Sequence, residues 1–266
     1  MASSGDLRAR LIGSLYFIPL LIAMVYGQPL SALAGCTAIG WLAYEAVVML
    51  RGAQRGWLDK GLWAVLVLAF WPAYLPLSGL QAALVGTGLW GAALVLNKRG
   101  EHTFVSLLFL ASFSLGAMLA KDGGHLVLIC LAAVISAGDV GAYLFGRVFG
   151  GPKLAPHISP SKTWSGAVGG LACSLLVVAG LSVMFGAVLP GLASLVFAVG
   201  VCVLAQSGDL FESSLKRRLG IKDSGSFVPG HGGALDRFDG YLAALPVVML
   251  ADAVHFTPVW LQVSGL

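Results

Sequence analysis

The densest chemistry in this chain lies in one polar stretch, Ser207 to Asp239, which reads SGDLFESSLKRRLGIKDSGSFVPGHGGALDRFD between two long apolar runs. It carries five of the twelve acidic residues (Asp209, Glu212, Asp223, Asp236, Asp239) and five of the sixteen basic ones (Lys216, Arg217, Arg218, Lys222, Arg237). Carboxylates mixed with cations beside a membrane are the groups needed to hold a divalent metal and phosphate. Asp209, Glu212 and Ser213 are spaced i, i+3, i+4, so they share one face if the preceding helix continues past Gln206. Lys216 then follows Glu212 by four and could pair with it. Asp236 and Asp239 are again i, i+3, at the start of the next apolar run. Asp209 and Asp236 stand at the two mouths of one loop, and folding that loop back would bring them together. Paired carboxylates with open positions suit Mg²⁺ completed by substrate phosphates; a solvated loop balancing its own charges has the same spacing.

Other residues extend the inventory. Lys216, Arg217 and Arg218 could bind phosphate or contact anionic headgroups. Pro229-Gly230-His231-Gly232-Gly233 needs positive φ or close backbone approach, and could present N–H groups to an anion. His231 is either a structural turn residue or a direct participant. Asp139 lies inside an apolar run, eight residues before Arg147. At 1.5 Å per residue that is about 12 Å from the polar end, a costly position that points to function. Glu45 resembles it but lies nearer the surface, where snorkelling accounts for it. Ser159, Lys162 and Thr163 directly precede Trp164 and another apolar run. A helix N-terminus there favours phosphate; an N-cap with an interfacial Trp is the alternative.

These residues must be positioned by membrane helices. The chain has 266 residues, 58% apolar and 11% charged, against about 25% charged in soluble domains. The expected fold is all-α and polytopic, because the apolar runs are continuous and lack β-barrel alternation. A span needs about 20 apolar residues, somewhat fewer if the bilayer thins. Nine candidates follow: Leu11–Tyr26, Leu30–Leu50, Leu62–Leu80, Ala82–Leu96, Phe104–Ala120, Leu126–Phe149, Trp164–Phe185, Leu189–Gln206 and Tyr241–Leu261. The chain reads as one membrane domain, with residues 1–120 a transmembrane scaffold and 121–266 carrying the chemistry. Its 36 glycines suit close helix packing, as in Gly166-xxx-Gly170. Cys36, Cys130, Cys173 and Cys202 lie in apolar runs without a Cys-x-x-Cys, so neither a disulfide framework nor a zinc site is expected. Between Gly146 and Thr163, Pro152, Pro156 and Pro160 forbid a continuous helix and favour an extended segment.

At this point the signature is recognisable. Ser213-x-Leu215-Lys216-Arg217, Lys222-Asp223 and Pro229-x-His231-Gly232-Gly233-x-x-Asp236-Arg237-x-Asp239 closely resemble the signature of phosphatidate cytidylyltransferases, also called CDP-diacylglycerol synthases. Asp139-x-Gly141-Ala142-Tyr143, Lys153-Leu154-Ala155-Pro156 and Ser159-Pro160-x-Lys162-Thr163-Trp164 also look like the family. The resemblance covers Asp139 to Asp239; the N-terminal half matches in hydropathy alone. Val140 stands where the family usually has Ser or Thr, and Ser165 where it has an acid.

The resemblance implies that CTP and phosphatidic acid give CDP-diacylglycerol and pyrophosphate with Mg²⁺, a second cation being possible. By carry-over, Asp209 and Asp236 would ligate metal, with Asp139, Glu212 and Asp239 as further ligands or outer-shell groups. Lys216 and Arg217 would act on the phosphates. Ser159, Lys162, Thr163, Lys222, His231, Gly232, Gly233 and Arg237 would bind substrate. The expected partners are CTP, phosphatidic acid and membrane lipid, with homodimerisation open. The expected setting is the inner (plasma) membrane with the site facing the cytoplasm. A CTP-dependent lipid-alcohol kinase is the nearest alternative; a transporter is a more distant one, since no inverted repeat is apparent.

Lys and Arg mark cytoplasmic loops. With the N-terminus inside, Arg8, Arg10, Arg51, Arg55, Lys60, Lys98, Arg99, Arg147, Lys153, Lys162 and the five cations of the polar stretch fall inside. These are 15 of the 16 basic residues; Lys121 alone falls outside. The pI near 9.0 reflects this asymmetry and is no argument for nucleic acid. Gly123→Cys, in a background without the native cysteines, is therefore expected to react with an impermeant thiol reagent from outside intact cells. Labelling only after permeabilisation would contradict the nine-span topology.

Overall fold

In a computed structural model of the chain, the described residues are 18–51, 56–77, 79–97, 101–186, 190–225 and 232–253. His231, the first residues of the first expected span and the last of the ninth lie outside them. The described residues are mostly helical, with one short hairpin, and the chain is an all-α membrane protein. It divides into two compact units, one of Met1–Lys121 with Leu219–Phe238, the other of Asp122–Arg218 with Asp239–Leu266.

The first unit holds α1 (Ile18–Tyr26), α2 (Leu30–Arg51), α3 (Trp57–Leu68), α4 (Gly79–Leu96) and α5 (His102–Leu119). In α3, Asp59 accepts the Gly56 N–H at 2.7 Å, so an acid in the first turn satisfies a donor the helix leaves open. The expected Leu62–Leu80 span is interrupted. Helix α3 stops at Leu68, and Pro72–Tyr74 form a 3₁₀ turn. Pro72 lacks an N–H and cannot continue the helical ladder, so the apolar run does not continue as one rod. Gly116 of α5 lies against that break: a Cβ there would be 2.8 Å from the Phe70 carbonyl carbon. Leu62, Leu66, Phe70 and Phe104 are fully buried around it. Ser112 Oγ donates to Leu66 O at 2.8 Å, and Trp63 Nε1 to Gly40 O at 2.8 Å. Polar side chains thus join helices where no water would serve them.

The second unit holds α6 (Gly124–Phe149), β1 (Lys153–Ala155), β2 (Ser159–Thr163), α7 (Trp164–Met184), α8 (Leu192–Arg218) and the body of α9 (Leu235–Ala253). The proline-rich segment is extended, as expected, and it also pairs with itself. Strands β1 and β2 are antiparallel, with Lys153 opposite Thr163 and Ala155 opposite Ser159. Helices α6 and α7 approach closely through small residues. A Cβ on Gly170 would lie 2.7 Å from Gly138 O, and one on Gly166 would lie 2.7 Å from Ala142 O. The Gly166-xxx-Gly170 pair therefore does pack helix on helix. Ser174 Oγ donates across the same contact to Val134 O at 3.1 Å.

Five helices among the described residues are long and apolar enough to cross a membrane: α2, α5, α6, α7 and α8. Their outward faces carry exposed Val148, Val168, Leu176, Val183 and Val203, the surface a lipid-facing helix presents. Helix α8 has 27 residues. At 1.5 Å per residue it is about 40 Å long, more than a hydrocarbon core of about 30 Å. Its last turns, from Gln206 onward, therefore carry polar residues beyond the apolar part.

Gly170→Leu is expected to destabilise the second unit by about 1–3 kcal/mol, because the facing group is backbone and cannot swing away. Unfolding in detergent measured against the parent protein checks this; Gly180→Leu, where a Cβ meets nothing within 4 Å, is the control.

Candidate active site

Helix α8 does continue past Gln206, so Asp209, Glu212, Ser213 and Lys216 fall on one helical stretch. Ser213 Oγ donates to Asp209 Oδ1 at 3.3 Å. Glu212 is 1% exposed, and Lys216 Nζ pairs with its Oε1 at 3.4 Å. The i, i+4 pair read from spacing is thus present, and it is buried. Such a counter-charge offsets part of the cost of burying a carboxylate. Arg217 and Arg218 remain exposed at the end of α8, where cations also suit the helix dipole.

Helix α9 meets α8 at two glycines. A Cβ on Gly208 would lie 2.6 Å from Asp239 O, and one on Gly240 would lie 3.2 Å from Ala205 Cβ. This close crossing sets Asp239 beside Asp209. Asp239 precedes the apolar part of α9, which starts at Tyr241. Burial pushes its carboxyl up to about 9, and the charges of Asp209, Glu212 and Asp139 add to the effect. The Gly240 N–H, donating to Oδ1 at 2.6 Å, opposes it. Asp239 of α9 therefore feels the field of carboxylates on α6 and α8. Asp139 is exposed rather than sealed in the interior of the unit.

The hairpin supplies a cation to this cluster. Lys162 of β2 forms an ion pair with Asp209 Oδ2. Ser159 is half-buried in the same strand. Thr163 resolves as an N-cap: its Oγ1 accepts from Gly166 N at 3.1 Å and meets Ser165 Oγ at 3.0 Å. Ser165, which stands where the family signature has an acid, donates to Gly150 O and fastens the start of the hairpin. Gln206, absent from the sequence inventory, bonds Ala167 O at 3.3 Å and links α8 to α7.

The other sequence-derived site residues lie in the first unit. Asp236 accepts the Gly233 N–H at 2.9 Å and the Ser224 N–H at 3.1 Å. Gly232 has φ +81°, and a Cβ there would lie 2.9 Å from Asp236 Oδ2, so glycine is required twice over. Lys222 and Arg237 are exposed. Sequence reading missed Glu45. It does not snorkel: it is 3% exposed and accepts the Leu235 N–H at 2.8 Å. The available signal was an acid in an apolar run, with nothing to name its distant partners.

A family model described as the cytidylyltransferase family matches residues 8–254. The chain belongs to the cytidylyltransferase family. A phosphatidate cytidylyltransferase of Brucella suis is 44% identical over 182 residues, 65% of this chain and 67% of the relative. One from Staphylococcus saprophyticus is 43% identical over 128 residues, 48% of this chain and 49% of the relative. For a cytidylyltransferase, whose substrate carries a triphosphate, lysines set against carboxylates are the expected chemistry. Among the described residues no three His, Cys, Asp or Glu side chains stand together as a ready ligand set. Mg²⁺ normally takes one or two protein carboxylates and fills its remaining positions with water and phosphate, so this donor set fits it.

Asp239 titrates with a definite sign. Its folded pKa lies above the unfolded value, so its stabilising contribution is full below about pH 4 and is lost as pH rises towards about 9. Metal-free protein in EDTA is expected to lose thermal stability across that window, and Asp239→Asn to flatten the slope. An unchanged slope in the variant would remove Asp239 as its source.

Proposed function

We propose that this cytidylyltransferase moves the cytidylyl group of CTP onto phosphatidic acid, giving CDP-diacylglycerol and pyrophosphate in phospholipid biosynthesis. The observation that carries the reading is the pairing of Lys162 with Asp209 and of Lys216 with Glu212 on the polar turns of α8, where the Gly208 crossing also brings in Asp239. In this reading a phosphate oxygen of the lipid attacks the α-phosphorus of CTP. A new P–O bond forms, the bond to the β-phosphate bridge breaks, and pyrophosphate leaves with the electron pair. The lipid phosphate monoester is anionic near pH 7, so no strong base is required. The work is positioning and charge neutralisation.

Asp209 and Asp236 would hold Mg²⁺, with Asp139, Glu212 and Asp239 as supporting acids or holders of a second cation. Bound there, the metal would supply positive charge to the triphosphate. Lys162 and Arg217 are placed to exchange their present partners or solvent for phosphate. Lys216 holds Glu212 in place, and its own phosphate role requires that pair to loosen. Ser159, Lys222, Arg237 and the His231-Gly232-Gly233 turn complete the substrate contacts; Thr163 contributes through the N-terminus it caps. The site would face the cytoplasm at the inner membrane, because CTP comes from the cytosol and the lipid from the leaflet. The basic residues of the loops support that orientation.

Purified protein with Mg²⁺, phosphatidic acid and CTP labelled at the α-phosphate is expected to place label in lipid. Asp209→Asn and Asp236→Asn are each expected to reduce that by at least about a thousandfold while the protein stays folded, since the amide keeps shape but loses charge. Transfer of γ-label to a lipid alcohol, with none from the α-position, would establish the kinase alternative. Near-normal turnover in either Asn variant would end the metal assignment.

A further inference from the structure

Glu45 belongs to α2, in the half of the chain that carries none of the recognised motifs. Its carboxylate nevertheless reaches the heart of the signature segment within the same unit. Oε2 accepts the Leu235 N–H at 2.8 Å and the Ser224 hydroxyl at 3.3 Å. Leu235 opens α9, so its N–H is one of the donors a helix start leaves unsatisfied. A negative group at that end also suits the dipole. Glu45 is thus a cap supplied from another helix.

The same turn holds Asp236. Ser224 is gripped twice, by its hydroxyl to Glu45 and by its N–H to Asp236. Gly233 donates to Asp236, and it sits so close that a Cβ would lie 2.6 Å from Glu45 Oε2 and 2.8 Å from Gly225 N. Glu45 and Asp236 therefore hold opposite sides of one turn. Ser224 is 5% exposed, Gly233 is buried and Leu235 is 0% exposed, so water does not compete for these bonds.

We propose that Glu45 is a positioning residue for the signature turn: its buried carboxylate fixes Ser224, Gly233 and the first turn of α9, and so the orientation of the Asp236 carboxylate. This rests on the function proposed above, and it assigns the scaffold half a part in the chemistry. Glu45 acts through the backbone that Asp236 leans on.

The test compares Glu45→Ala, Glu45→Gln and Ser224→Ala in detergent, with two readouts. One is the Mg²⁺ concentration for half-maximal CDP-diacylglycerol formation, read separately from the maximal rate. The other is amide hydrogen exchange over residues 219–238. Glu45→Ala is expected to raise the Mg²⁺ requirement about tenfold or more, the scale of a lost hydrogen bond to a charged group. It is also expected to speed exchange in that segment and leave α3 to α5 unchanged. Glu45→Gln, whose amide oxygen can accept both bonds, should recover to within about threefold. Ser224→Ala should shift both readouts in the same direction by less, and it decides the matter if Glu45→Ala does not fold. A lowered maximal rate with the Mg²⁺ requirement and exchange unchanged would show that Glu45 does not act by holding this segment and would overturn the proposal. If the parent protein forms no CDP-diacylglycerol, the functional reading fails, and exchange over residues 219–238 still decides whether Glu45 holds the turn.

Discussion

Like charge in a poorly hydrated place is the constraint on which the second unit depends. Asp209, Glu212 and Asp139 raise the cost of ionising Asp239, and burial of Asp239 removes the water that would screen it. The protein meets this in three ways. Lys162 pairs with Asp209, Lys216 pairs with Glu212, and Asp239 holds a proton. None of these groups stabilises the fold as well as apolar side chains of the same volume would. Their concentration makes sense as a reserve of negative charge to be met by cations that arrive with a nucleotide.

The geometry that concentrates them is made from small residues and one long helix. Helix α8 is longer than an apolar core requires, so its polar turns extend the apolar rod without a break. Gly208 and Gly240 then let α9 lie against it backbone to backbone. A Cβ at Gly208 would push α9 away and take Asp239 out of the cluster. The hairpin is built for a related end. Pro160 has no N–H to leave unpaired on a two-stranded edge, and Thr163 ends the second strand by capping α7. Lys162 is thereby carried on a paired strand rather than a free loop.

The first unit solves a different problem, that of holding Ser224 and Gly233 against the start of α9. Glycine loses much entropy on being fixed. Two buried or half-buried carboxylates, Glu45 and Asp236, accept the donors of Ser224, Gly233 and Leu235. Glu45 draws on the hydrophobic packing of α2 for its own immobility, so a rigid apolar helix becomes the support for a polar loop.

Much of this was legible in the sequence. Apolar runs too long for a soluble core dictated membrane helices, since a backbone in lipid must satisfy its own hydrogen bonds. The i, i+4 spacing of Glu212 and Lys216 dictated their pairing, because helical neighbours are set by a local repeat. The signature residues pointed to the family that the match over residues 8–254 establishes. Tertiary structure decided the rest. The Leu62–Leu80 run breaks at Pro72 and packs Phe70 on Gly116, and hydropathy carries no record of that break. Thr163 spends its hydroxyl on a cap, which its type allowed but did not require. Glu45, read as a surface acid, is buried against Leu235, 190 residues away. Local repeats can be read from neighbouring residues, but a contact across 190 residues depends on how every helix between them packs.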